Sequence, residues 1–423
     1  MSRPYQYQPL PRVKAVEPPY IRLLQIQPGR LGAPLRVKFI VERLRKVMPK
    51  FSAISYTWDN QTPSRPIQVE HNIAYITQKL ERALVVISQR YPGHLLWADG
   101  ICINQNDRTE KASQVEFMNL IYGYAQQTLV WLGDPDMTQQ PWTCHLFSLL
   151  HNNIGHRIVE NAWRQDFLPA LWREVRWFSR MWVVQEVGCN NNDDVKLLFG
   201  PDWELDWEDL LQAIPSISVG GREWTDANKI EGLLHIRDEN AKRGSILFMM
   251  ERFASFGCKE PRDRIAAMAG MQNPPPSAKP TALAIDYNST DQEMFLRFAK
   301  HLVERRFGLA LLRLSAHKGP TEFPWPSWVP DWSKCSSQKP CLDIDDFYDY
   351  PATSVNGMMR IHCYQLEAYC NGYRATFKKP RLQNHGVDFI LKRNSSGYFR
   401  LAEWQQLQGN VRARSFNVDL VIV

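Results

Sequence analysis

Three short runs in the first third of the chain carry apolar residues at most positions: FSAISYTW from Phe51, HLLWADGI from His94 and TLVWLGD from Thr128. Runs of this length, bounded by polar and turn residues, predict buried strands. The segments between them switch to a helical period. TQKLERALVVISQR places Leu80, Ala83, Leu84 and Ile87 on one face, with Thr77 as N-cap. DRTEKASQVEFMNLIYGYA gives a stripe of Val115, Met118, Ile121, Tyr122 and Ala125 behind Asp107, with Glu110 three residues on, the spacing of a capping box. Strands alternating with helices predict a parallel sheet covered by helices.

Two of these strands run into polar residues. Asp59 and Asn60 follow the first; Asp99, Asn104 and Gln105 follow the second. In open α/β sheets ligands bind beyond the carboxyl ends of the strands, which makes these loops candidate site positions. The alternative is local: Asp99 caps a turn before Gly100, and Asn104 caps the next helix. Further on, residues 142–185 read as helical and rich in tryptophan, CNNNDDV as a loop, and DWELDWEDLLQAI as the start of a helix. Three consecutive prolines in QNPPPSAKP break the chain at residues 272–280. After them come a helix in FLRFAKHLVERRFGLALL and strand-like runs such as VDFIL and VDLVIV.

With 423 residues the chain is long enough for two or three domains, and 44% hydrophobic residues with 15 tryptophans predict a folded protein. No run of 18 apolar residues occurs, and MSRPYQYQPLPRV lacks the apolar core of a signal peptide, so a soluble, cytoplasmic protein with no membrane partner is expected. The eight cysteines form no CxxC pair and read as reduced, packed thiols, with no metal site. The net charge of +7 is scattered, and its densest group, Arg36, Lys38, Arg43, Arg45, Lys46 and Lys50, reads as a solvated basic face. No nucleic-acid-binding motif accompanies it, so no nucleic-acid partner is expected. Neither GxxxxGK[ST], GxGxxG, HExxH nor GxSxG is present, which argues against phosphate-loop ATPases, dinucleotide dehydrogenases, zincins and α/β-hydrolases.

WFSRMWVVQEV, residues 177–187, sets a single carboxylate, Glu186, among tryptophans and valines. Together with FSAISYTWDN and LLWADGICINQNDRTEKASQVEFMNLIYGYAQQTLVWLGD, it resembles in order and spacing the three blocks of the fungal heterokaryon incompatibility (HET) domain. PRDRIAAMAGM, IDYNST and PSWVPDWS look like segments that often follow that domain, so the likeness spans residues 20–333. Asp59 stands where the family usually has glycine, followed by an asparagine that tolerates left-handed geometry. HET domains are in turn similar to Toll/interleukin receptor (TIR) domains. The resemblance therefore implies an α/β fold with a TIR-like, flavodoxin-like core, a parallel sheet and flanking helices, followed by a mostly helical C-terminal region with some short strands. The boundaries it suggests are a lead-in at 1–19, the HET domain at 20–190, a helical HET-associated region at 191–333 and a divergent region at 334–423.

Trp182 and Glu186 keep the spacing of the TIR tryptophan and glutamate, and in TIR enzymes that glutamate carries NAD glycohydrolase activity. The resemblance thus implies Glu186 as the catalytic candidate, with NAD as substrate and no resident cofactor. It also implies an effector of nonself recognition and programmed cell death that works through self-association and an incompatibility partner protein. Around Glu186, Tyr56 or Trp58 would stack on a base or nicotinamide, Asp99 would bind a ribose hydroxyl and Arg180 a phosphate, with Trp182 one helical turn from the acid. The structural alternative leaves Tyr56, Trp58 and Trp182 as core aromatics, pairs Arg180 with Glu174 or Glu186, and lets Gln185 cap or face solvent. The domain is then a noncatalytic signalling module.

Overall fold

The computed structural model describes residues 3–11, 18–27, 34–45, 50–134, 175–192, 194–201, 203–213, 246–271, 285–305 and 329–334, single positions between 232 and 311, and the backbone of strands between 352 and 420. Two compact units divide the chain: Met1–Lys259 with Ala266–Lys279, and Glu260–Ile265 with Pro280–Val423.

The first unit is built on a ten-stranded sheet of β1 (Arg3–Pro4), β2 (Tyr20–Gln27), β3 (Arg36–Arg43), β4 (Phe51–Tyr56), β5 (Arg65–Val69), β6 (Asn72–Ile76), β7 (Leu95–Trp97), β8 (Gln127–Gly133), β9 (Val195–Phe199) and β10 (Trp203–Asp206), in the order β1-β6-β5-β3-β2-β7-β4-β8-β9-β10. The strands β7-β4-β8-β9 are mutually parallel. Numbered along the chain, these four stand in the order 2-1-3-4, as in flavodoxin-like doubly wound sheets, and the winding reverses between β4 and β8. Every residue of β4 is buried, as are the first six of β8, because helices cover both faces of a parallel sheet. This confirms the sequence expectation of an α/β protein with parallel strands and flanking helices.

The helices connecting these strands are α1 (Gln78–Arg90), α2 (Asp99–Cys102), α3 (Arg108–Glu116), α4 (Met118–Tyr124) and α5 (Val183–Gly188). Thr77 caps α1 by accepting the Leu80 amide at 3.2 Å, and Leu80, Ala83, Leu84, Val86 and Ile87 form its buried face. Asp107 caps α3 through the amides of Thr109 and Glu110. Glu110 departs from the predicted capping box. Its carboxylate accepts the Asn104 amide at 2.7 Å and pairs with Arg22, whose side chain is 1% exposed. A buried guanidinium needs a carboxylate more than an exposed helix end needs a second cap. The long predicted helix is interrupted at Phe117 (φ −105, ψ 11), and HLLWADGI leaves its strand at Trp97 to enter α2.

The outer strands β2, β3, β5 and β6 escaped the apolar-run criterion because most of them mix buried and exposed positions. Arg36 and Lys38 are exposed on β3, so this part of the basic group lies on a solvated strand. The N-terminal arm packs on the sheet: Tyr5 and Tyr7 contact Phe39, and the Tyr7 hydroxyl donates to the Ile101 carbonyl at 2.9 Å.

β9 continues the sheet past residue 190, and DWELDWEDLLQAI divides into β10 and α6 (Trp207–Ala213). Two more helices follow, α7 (Ile246–Arg252) and α8 (Asp263–Met271). The proline run and most of the predicted tryptophan-rich helix, including Glu174, lie outside the described residues.

In the second unit, α9 (Asp291–Glu304) opens with a full capping box between Thr290 and Glu293 and packs Phe295 and Phe298 on Trp332, with ring centroids 5.5 and 4.8 Å apart. The described residues beyond 350 are strands of up to eight residues; the strand-like run VDFIL falls in Val387–Arg393 and VDLVIV contains Asp419–Leu420, while the region holds more strands than the few short ones expected. They form a five-stranded antiparallel sheet that includes Met358–Cys363, Val387–Arg393 and Phe399–Gln406, and the hairpin of Gln365–Cys370 with Tyr373–Lys378. Among the described residues no helix is long and apolar enough to cross a membrane.

Candidate functional site

The chain returns to the parallel strands after residue 174 through a buried turn at Arg176–Ser179 that inserts Trp177 and Phe178 into the core. Gly257 then fixes the backbone: its amide donates to the Ser179 carbonyl at 2.7 Å and its carbonyl accepts the Met181 amide at 2.8 Å. Trp182 starts α5, and its carbonyl accepts the Glu186 amide at 3.0 Å, which places the two one turn apart. All six residues of α5 are buried, and the helix packs on α4.

The Glu186 carboxylate points back at β4. One oxygen accepts the Ser55 hydroxyl, which itself accepts the Trp177 indole N–H at 2.6 Å. The other accepts Arg180 Nη2 at 3.4 Å, while Arg180 Nη1 donates to the Tyr56 carbonyl at 2.7 Å. The Glu186 side chain is 4% exposed and that of Arg180 19%. A second carboxylate, Asp99, stands at the first position of α2 and accepts Trp58 Nε1 at 3.2 Å. The Tyr56 hydroxyl is buried beside Asp99 without meeting hydrogen-bond geometry to it. A Cβ at position 100 would collide with that hydroxyl, so glycine is required there.

Burial raises the Glu186 carboxyl above the ordinary carboxylate range, against the pull of Arg180 and the Ser55 hydrogen bond. Burial likewise raises Asp99, opposed by Arg180 and the Gly100 amide. For Arg180, burial works against the charge, yet Glu186 and Asp99 outweigh it and hold the guanidinium above its usual value. The cluster is two carboxylates sharing one arginine. Such a group can stabilise a developing positive charge or exchange a proton with a bound ligand.

The structure thus gathers Tyr56, Trp58, Asp99, Arg180 and Glu186, with Trp182 joined through the backbone. Tyr56 is 2% exposed, whereas Trp58 is half-buried, so of the two stacking candidates Trp58 is the one that reaches the surface. Arg180 takes Glu186 as a partner. Gln185 neither caps nor faces solvent: it is 1% exposed and donates to the carbonyls of Ala266 and Ala267. Ser55 and Trp177 were not anticipated; the available signal was the hydroxyls of Ser52, Ser55 and Thr57 inside a run read as a buried strand. At the rim, Lys79 binds the Thr57 hydroxyl at 2.6 Å and the Asp59 carboxylate at 2.7 Å. Asp59 and Asn60 both adopt left-handed backbone (φ 45 and 57), the geometry for which glycine is the usual choice. Among the described residues no cluster of His, Cys, Asp and Glu could hold a metal ion.

These features define an α/β protein with a carboxylate-centred cluster beside the strand whose two neighbours mark the winding reversal. Comparison with known proteins then finds a family match for this segment: residues 51–186 match the family described as heterokaryon incompatibility protein (HET), which supports a HET domain there. The match begins at the first residue of β4 and ends at Glu186. The chain is also similar to heterokaryon incompatibility protein 6, OR allele, of Neurospora crassa, at 24% identity over a 404-residue alignment that covers 74% of this chain. The chain spans 58% of the length of that curated relative. No solved structure matches.

Proposed function

We propose that the protein acts in fungal nonself recognition, and that its HET domain hydrolyses NAD to nicotinamide and ADP-ribose with Glu186 as the catalytic residue. The observation that carries this reading is the buried Glu186 carboxylate, held by Ser55 of β4 and by Arg180, whose charge also acts on Asp99. The 2-1-3-4 strand order supports a TIR-like core. In the reaction the bond between nicotinamide and C1′ of the ribose breaks, and nicotinamide leaves with the electron pair. Glu186 stabilises the oxocarbenium-like state, and water adds to C1′ and gives up its proton to the carboxylate. Arg180 takes the diphosphate, Asp99 a ribose hydroxyl, and Trp58 stacks on a ring of the substrate. Self-association and an incompatibility partner in the cytoplasm switch the activity on.

A second reading is favoured by the 4% exposure of Glu186 and by the engagement of both its oxygens. In it the glutamate is the buried partner of Arg180, and the domain signals through contacts alone. Nicotinamide release by concentrated protein, wild type against Glu186→Gln, separates the two. Hydrolysis in the wild type only, with an unchanged or raised unfolding midpoint in the variant, supports the enzyme. No release from either, with a loss of about 1–3 kcal/mol in the variant, supports the module.

A further inference from the structure

The helix that carries Glu186 is six residues long, too short to hold its own orientation. Part of what holds it lies within the matched residues 51–186, on α4 and β4, and part lies outside them. Gln185 sends its side-chain amide to two carbonyls of α8, Ala266 at 3.0 Å and Ala267 at 2.8 Å. The approach is close from both sides: a Cβ at Gly270 would collide with the Gln185 amide, and one at Gly188 would stand 2.7 Å from the Ile236 carbonyl and meet Met271. Gly257 pins the backbone on both sides of Arg180.

We infer that Gln185 is the positioning residue of this site: by gripping the Ala266–Met271 part of α8 it fixes the rotation of α5, and with it the Glu186 carboxylate, so the working unit includes Gly257 and residues 266–271. Adjacent residues leave a helix about 100° apart. Gln185 therefore anchors the side of α5 that faces α8 while Glu186 faces β4, and a rotation that frees the first carries the second off Ser55. Leucine would fill the same buried space. The amide is present although its oxygen has no hydrogen-bond partner among the described residues, an arrangement that costs stability and gives direction. The catalytic consequence rests on the NAD hydrolysis proposed above.

The test uses the full chain with Gln185→Leu, which keeps the volume, and Gly270→Ala, which displaces the amide from the opposite side. Two readouts are taken: the indole N–H resonance of Trp177 with its hydrogen exchange, which reports the Trp177, Ser55 and Glu186 chain, and the kinetics of nicotinamide release. The inference predicts in both variants a shifted Trp177 indole signal and exchange faster by roughly tenfold or more, with kcat lower by roughly ten- to a hundredfold and KM near that of the wild type. An unchanged Trp177 resonance and exchange rate in both variants overturns it. Should the wild type release no nicotinamide, the proposed activity falls, and the Trp177 readout still decides the role of Gln185.

Discussion

The two halves of the ten-stranded sheet use similar residue types to different ends. In the parallel half, β4 and β8 are buried along nearly their whole length, and the strands end in the Tyr56, Trp58, Asp99 and Glu186 cluster. In the outer, mixed half, β3 sets a single buried position, Val37, among exposed and half-buried ones, Val41 is 45% exposed, and the antiparallel pairs β2–β3 and β5–β6 join strands consecutive in the chain, while β3 and β5 pair parallel. Parallel strands require crossovers, crossovers bring helices to both faces, and their returns deliver loops to one edge of the sheet. An antiparallel hairpin delivers no such convergence. The site therefore belongs to the crossover half, while the outer strands and the N-terminal arm brace it.

The largest test of this division is at the seam. Arg22, on β2, reaches across to Glu110 on α3 and to the carbonyls of Cys102 and Gln8. Arg22→Ala strands a buried carboxylate and is expected to lower stability by about 3–5 kcal/mol in denaturant unfolding. A loss below about 1 kcal/mol would mean that the halves are not tied there. Next, Ser55→Ala removes the link between Trp177 and Glu186 and leaves both buried groups short of a partner, for an expected loss of about 1–3 kcal/mol by the same measurement. A matched pair then compares the halves directly. Val130→Thr places a hydroxyl at a position that is 0% exposed and costs about 1–2 kcal/mol, whereas Val41→Thr on β3 stays within about 0.5 kcal/mol. Equal costs would erase the contrast.

The smallest effect is the pH dependence contributed by Glu186. Its folded carboxyl binds a proton more tightly than the unfolded chain does, so the stability from this group is present below the unfolded pKa and lost as pH rises through the raised folded value. Unfolding midpoints measured across that window should decline less steeply with pH in Glu186→Gln than in the wild type. An identical slope would show that the carboxyl is not raised.

Much of the parallel half was legible from local pattern. Apolar runs marked β4, β7 and β8, and Thr77 and Asp107 marked helix starts, because strand burial and end-capping depend on residues within a few positions. The outer strands were not, since their alternation is irregular. At the site, Glu186 was named from the family likeness, Asp99 from its place after a strand end, and Arg180 and Trp58 from their residue types, and the structure brings them into one cluster.

The sequence by itself determined the buried strands of the parallel half, the caps at Thr77 and Asp107 and the alternation that makes a parallel sheet. Only the tertiary structure decided which polar groups meet: Glu110 turns from its cap to Arg22, 88 residues away; Ser55 finds Glu186 across 131 residues; and Gln185 finds the α8 carbonyls across 81. The physical reason is range. Caps and periodicities are satisfied within one or two turns of chain, whereas a buried polar group must bond to whatever the packing of distant elements brings within about 3 Å.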